Sequence, residues 1–222
     1  VVSVADWEAE GVDLLFCSKG GLVKRTPLKA YRNIRSSGLR AYDCADGDGL
    51  LTVRKARPDQ HVLLASKRGM SIRFEGKDVR HMGRVARGVR GIALKPGDVV
   101  ASLSLITADE EHQLLTITEN GYGKRTPLSE YRIQNRNGQG IIDIRTGDRN
   151  GQVAGALVVD PADQVMLITD TGRVIKVGVE SIRETNRATK GVTIMRVEEN
   201  EHIVSIARVV EIARPVRLRD VR

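Results

Sequence analysis

Aromatic side chains are nearly missing from this sequence: they make up 3% of 222 residues, as one Trp, two Phe and four Tyr. Single-stranded nucleic acids are held largely by stacking on aromatic faces, so a single-strand binder is disfavoured. Cysteine is equally scarce. Cys17 and Cys44 lie in unrelated contexts and form no Cys-x-x-Cys pair, which excludes a disulfide scaffold and leaves two reduced thiols in an intracellular setting. The four histidines, His61, His81, His112 and His202, are scattered without metal-ligand spacing. No apolar run approaches the ~18 residues of a membrane span, and no signal-type segment opens the sequence, so the expected location is the cytoplasm. Gly-Lys-Arg-Thr at 123–126 lacks the glycine spacing and the Lys-Ser/Thr pair of a phosphate-binding loop. No nucleophile with a partner base stands out, and no stretch sustains a helical stripe over three turns.

What the sequence has is repetition. GLVKRTPLKAYR (21–32) returns as GYGKRTPLSEYR (121–132), and apolar runs ending in a tight turn recur around Gly21, Gly69, Gly121 and Gly172. After each turn comes a short basic segment: LVKR, MSIR, YGKR and RVIK. A second glycine follows each time, Gly38, Gly88, Gly140 and Gly191, and an arginine precedes it by three or four residues: Arg35, Arg84, Arg136 and Arg187. Further β-type runs close each unit, such as GIIDIR (140–145), GVTIMRV (191–197) and VVASLSLI (99–106). Runs of four to eight residues rich in Val, Ile, Leu and Thr, punctuated by Gly, Asp and Asn, are strand chemistry. A period near 50 residues with about four strands per unit fits a propeller blade, and radial repetition limits exposed sheet edges. The expected fold is all-β and blade-built, with four units visible. It forms one domain over 1–210, with a first blade that is incomplete or missing, and a basic tail at 211–222.

The charge follows the repeat. Lys and Arg outnumber Asp and Glu by 36 to 28, and the net charge is +8. The four windows 21–40, 67–90, 121–140 and 172–191 hold 23 basic and 5 acidic residues, a net of +18, so the rest of the chain carries −10. Equivalent positions of successive blades fall at equivalent radii, so the repeat predicts a positive belt. Its strand part comprises Lys24, Arg25, Arg73, Lys124, Arg125 and Lys176, with Arg68 and Arg173 at the turns. Its loop part comprises Arg35, Arg84, Arg87, Arg90, Arg132, Arg136, Arg187 and Lys190. Such a belt suits a polyanion. Duplex DNA fits best, since phosphate contacts carry sequence-independent affinity and a curved rim can bend the helix at an elastic cost of about 1–6 kcal/mol. The alternative from another class is a protein-interaction propeller whose basic rim takes an acidic partner.

GYGKRTPLSEYR (121–132), VRHMGRVARGVRGI (79–92) and NRATKGVTIMRV (186–197) resemble the C-terminal domain of the A subunit of bacterial DNA gyrase. The related domain of topoisomerase IV is the competitor. The resemblance covers the chain to about residue 210. It implies a β-pinwheel, whose blades exchange strands with their neighbours and whose rim wraps DNA for negative supercoiling. It also implies a non-catalytic module with no cofactor of its own. Strand cleavage, ATP and Mg would belong to other parts of the parent enzyme, an A2B2 assembly with gyrase B, and the isolated domain would be monomeric. The family's seven-residue box, Gln-Arg-Arg-Gly-Gly-Arg-Gly, finds its nearest match in QNRNGQG at 134–140, where Gln134, Arg136, Gly138 and Gly140 fit. Asn135, Asn137 and Gln139 depart from it, so this is a degenerate copy in a later blade, and full wrapping is in question.

Overall fold

In the computed structural model, which describes residues 2–107 and 112–209, the recurring phrases become a recurring hairpin. β1 (Asp13–Ser18) turns into β2 (Leu22–Pro27), β4 (His61–Ser66) into β5 (Met70–Glu75), β8 (Gln113–Thr118) into β9 (Tyr122–Pro127), and β12 (Gln164–Thr169) into β13 (Val174–Gly178). One further strand closes each repeat: β3 (Leu50–Ala56), β7 (Val100–Ile106), β11 (Val153–Val159) and β15 (Ile203–Arg208). It pairs antiparallel with the first strand of its own hairpin, across a register shift at the same place in every repeat. These closing strands pack side by side in chain order.

The fourth strand of each sheet is borrowed. β6 (Val89–Arg90), from the second repeat, pairs with β2 of the first. β10 (Ile141–Ile142) pairs in the same way with β5, and β14 (Val192–Thr193) with β9. Three four-stranded sheets result, and the fourth, β13-β12-β15, has three strands among the described residues. The β-type runs expected at 140–145 and 191–197 therefore pair over only two residues each. Beyond them the chain bends: the amides of Asp143 and Ile144 both donate to the Gly69 carbonyl, at 2.9 and 3.3 Å, and those of Ile194 and Met195 both donate to Gly121, at 2.8 and 3.1 Å.

This crossing places the turn glycines. Gly69 and Gly121 have φ of +79° and +80°, and a Cβ there would lie 2.0 Å from the Ile144 carbonyl oxygen and 1.9 Å from that of Met195. Only glycine offers both the left-handed conformation and the close backbone approach. Hydrophobic burial also runs from blade to blade. One cluster joins Leu15 and Val23 to Leu64, Ile72 and Phe74, another joins Leu63 and Ile106 to Leu114, Leu128 and Tyr131, and a third joins Leu115 and Ile117 to Val165, Leu167 and Ile203. Residues 2–12 form no strand, and Val2, Val4, Trp7 and Val12 lie against Leu14, Phe16 and Leu28 of the first blade. The 211–222 tail lies outside the described residues.

Candidate nucleic-acid interface

The exchanged strands form the sheet edge opposite to β3, β7 and β11, so the basic segments leading into them lie at the outer rim. Their order in the chain fixes this. Each segment leaves one repeat's hairpin, crosses the preceding blade beside its second strand, and ends in the borrowed strand. Parallel bridges Arg25–His81, Arg73–Ile133 and Arg125–Glu184 mark the crossing at equivalent places.

Along these crossings the arginines before the second glycine reach back in phase. Arg84 donates to the Ala30 carbonyl at 3.2 Å, and Arg136 donates to the equivalent Asp78 carbonyl at 3.1 Å. Arg136 also donates to the Arg90 carbonyl at 3.2 Å, and Arg187 donates to its counterpart, Ile142, at 3.0 Å. Arg35, Arg84, Arg87, Arg90, Arg132 and Lys190 are exposed, whereas Arg136 and Arg187 are half-buried. Arg35 and Arg84 meet in a cleft of about 720 Å³ that Arg32 and Arg40 also line. These last two were not among the residues expected in the belt, although both stand in the first basic window. Arg87 is held by Asp43, Nε to Oδ2 at 3.1 Å, and Arg187 has Glu130 at 3.9 Å. At the turns, Arg68 is exposed and donates to Pro96 at 3.0 Å. Arg173 is engaged by Glu201 at 2.8 Å and Glu198 at 3.7 Å, so its charge is largely answered within the protein.

The strand part of the expected belt needs correction. Lys24 and Lys124 are fully buried, and Arg25 is 7% exposed. Both faces of this strand are covered, Val23, Lys24, Arg25 and Thr26 all being buried in the first repeat, and the lysines face Phe16 and Thr116 across the strand pair. The Lys24 ammonium donates to the carbonyls of Ala41, at 2.6 Å, and Arg84, and sits 4.5 Å from the Phe16 ring centroid and 5.1 Å from that of Tyr42. Burial lowers its pKa to about 8. Lys124 donates to Thr126 Oγ1 at 2.7 Å, Asp143 Oδ1 at 3.3 Å and the Asn186 carbonyl at 3.4 Å. Burial lowers its pKa too, against the pull of Asp143. Asp143 also accepts from the Tyr131 hydroxyl at 2.6 Å and from Thr116 at 2.8 Å. Burial pushes the Tyr131 hydroxyl well above the usual tyrosine range.

At the following position, arginines of the second and third repeats clamp adjacent repeats. Arg73 donates to Leu128 O at 3.1 Å, and Arg125 donates to Ile182 O at 2.6 Å and Glu180 O at 3.3 Å, all in or beside the short 3-10 turn of the next repeat. A side chain at one equivalent position steadies each guanidinium: Asp13 for Arg25 at 3.2 Å, His61 for Arg73 at 2.9 Å, and Gln113 for Arg125 at 3.1 Å. Lys176, the fourth member, is exposed. Of the degenerate box, the Gln134 backbone N–H donates to Arg73 O, the Gly138 carbonyl accepts from the Ala93 N–H, both at 2.8 Å, and Gly140 (φ +77°) leaves a Cβ only 2.3 Å from Ser71 O. These three positions secure the backbone over the preceding blade.

Strand-exchanging blades with an arginine in phase at every junction define a β-propeller of the pinwheel class. A family model described as the DNA gyrase C-terminal domain, beta-propeller, matches residues 13–57, 60–107, 112–160 and 163–209, one repeat each. The chain belongs to this family. It is 42% identical over 211 residues to the DNA gyrase A subunit of Salmonella typhimurium and 40% identical to that of Escherichia coli K12, covering 95% of this chain and 24% of each relative. It thus spans about a quarter of the length of the curated relatives it matches. Among solved structures, the C-terminal domain of DNA topoisomerase IV superposes with a TM-score of 0.87 at 27% identity, covering 93% of this chain and 64% of that one. The DNA gyrase A C-terminal domain superposes at 0.83 and 24% identity, covering 93% and 68%. No helix among the described residues is long and apolar enough to cross a membrane.

Proposed function

We propose that this domain binds duplex DNA without sequence preference and bends it around the outer rim, as the wrapping module of a gyrase A protein. The observation that carries this reading is the in-phase placement of Arg84, Arg136 and Arg187 at successive blade junctions, each anchored on the preceding blade, with exposed Arg35, Arg87, Arg90, Arg132 and Lys190 in the same loops. Phosphate contacts from a rigid curved edge give affinity that depends on charge and curvature and carry no base information. Bending costs about 1–6 kcal/mol for a site of 20–30 bp, offset by the additional phosphates that the bent duplex brings to the rim. The gyrase assignment over topoisomerase IV rests on the family match and on the gyrase A relatives. The domain itself would be non-catalytic and would use no cofactor. Cleavage, ATP and Mg would belong to the rest of gyrase A and to gyrase B, all in the cytoplasm.

Binding of random-sequence duplexes, followed by anisotropy across a salt series, tests this. Six or so phosphate contacts predict a slope of log K against log[salt] of about −5. Weak binding even at low salt, or preference for an acidic polypeptide over DNA, overturns the proposal. Religation of nicked circles with and without the domain reports whether it wraps the duplex and with which sign.

A further inference from the structure

Two repeats carry Lys-Arg-Thr-Pro on their second strand and two do not, and the alternation has a structural counterpart. At the lysine position the four repeats hold Lys24, Ile72, Lys124 and Ile175, paired across the hairpin with Phe16, Leu64, Thr116 and Leu167. At the threonine position they hold Thr26, Phe74, Thr126 and Val177. Both lysines and both threonines spend donors on the backbone of the next repeat's basic loop. Thr26 Oγ1 donates to Met82 O at 3.0 Å, and Thr126 Oγ1 donates to the equivalent Thr185 O at 2.8 Å. Lys24 Nζ donates to Arg84 O and Lys124 Nζ to Asn186 O. On the first repeat the Tyr42 hydroxyl adds a third bond, to Arg87 O at 2.7 Å. Ile72 and Phe74 have no side-chain donor. The backbone bond at the crossing is common to all three junctions, from the N–H of Met82, Gln134 and Thr185 to the carbonyls of Arg25, Arg73 and Arg125 at 2.9, 2.8 and 2.9 Å, so the side-chain donors are an addition over the first and third blades.

We propose that Lys24 and Thr26 are positioning residues for the basic loop at 82–90, and Lys124 and Thr126 for that at 185–191. The Lys-Arg-Thr-Pro phrase then builds the DNA-facing loop from beneath and does not itself touch DNA. The inference rests on the duplex-binding reading of these loops. Its physical basis is twofold. Carbonyl oxygens drawn inward by buried donors turn their negative ends away from an approaching phosphate. A loop fixed before binding also loses less conformational freedom when its arginines engage. Arg84, Arg87 and Arg90 would thus be presented as a set.

The test uses Lys24→Ile with Thr26→Phe, the pair of residues that the second repeat holds at these positions, so the core remains of a kind this fold accepts. A single Thr26→Val variant, nearly isosteric, removes one tether with minimal repacking. In the full chain, amide exchange at 82–90 should quicken in both variants while that of β12 and β15 stays as in wild type. Duplex affinity of the double variant should fall about tenfold near 0.1 M salt, and its salt slope should shrink by about 1–3, at about 0.9 per phosphate no longer neutralised. Thr26→Val should show a smaller change in the same direction. Faster loop exchange with unchanged affinity and slope overturns the inference and leaves the duplex-binding reading intact, as does unchanged exchange in Thr26→Val. Failure of the wild type to bind duplex refutes that reading itself.

Discussion

Lys24 and Lys124 stand at equivalent positions with different surroundings. Lys24 has two carbonyls and two aromatic rings, whereas Lys124 has a carboxylate, a hydroxyl and a carbonyl. Removing the Asp143 charge by Asp143→Asn would leave the Lys124 ammonium buried without a counter-charge, which costs about 3–5 kcal/mol. Urea unfolding measures this. Combining it with Lys124→Met should cost less than the sum of the two single changes, because the groups are coupled. Lys24 predicts a pH effect. The unfolded lysine keeps its proton to about 10.5 and the folded one releases it near 8. Between those values the unfolded chain binds more protons, so the stability of the wild type should rise with pH relative to Lys24→Met. Unfolding curves at about pH 7.5 and about pH 9.5, below and within that window, check it. A gap independent of pH would contradict the burial of the charged form.

At the scale of the hairpin, the turn glycine is more than a local convenience. Gly69 and Gly172 both have positive φ, but a Cβ at Gly69 meets the Ile144 carbonyl at 2.0 Å, whereas at Gly172 nothing lies within 4 Å. Gly172→Ala should therefore cost only the left-handed conformation, about 1–2 kcal/mol. Gly69→Ala should cost about 3–4 kcal/mol, because backbone of another repeat must also move. Thermal or urea unfolding of the two variants separates the contributions, and equal losses would argue against the close approach. The spacing of these glycines gave the repeat away in the sequence. The second role of Gly69 and Gly121, as the site where the next repeat's amides dock, could not be read there, because it depends on a partner about 75 residues downstream.

For the whole molecule, in-phase charge does not mean in-phase exposure. Of the basic positions expected on the second strands, only Lys176 is exposed, while of the loop arginines Arg35, Arg84, Arg87, Arg90 and Arg132 are exposed and Arg136 and Arg187 are half-buried. A charge-reversal test of DNA binding therefore belongs on the loops. Arg87→Glu with Arg90→Glu should weaken all duplex sequences alike, by about tenfold or more at moderate salt, and flatten the salt slope by about 2. Anisotropy with duplexes of different sequence measures it, and a loss confined to one sequence would instead mean direct base readout. Reversal at Lys124 or Arg125 would first damage the blade, since both are spent on internal hydrogen bonds.

The blade, its period and its family were legible in the sequence, because turn glycines and alternating apolar runs are local requirements that every repeat must satisfy. The confinement of positive charge to one part of each repeat was legible for the same reason. Which of those charges faces solvent was decided only by the tertiary structure. A strand packed on both faces can bury a lysine where its own repeat supplies a carbonyl or carboxylate and the following repeat brings a further carbonyl within reach of its ammonium. That repeat arrives by strand exchange. So KRTP reads as surface charge in one dimension and becomes, in three, the inner support of the loop that follows it.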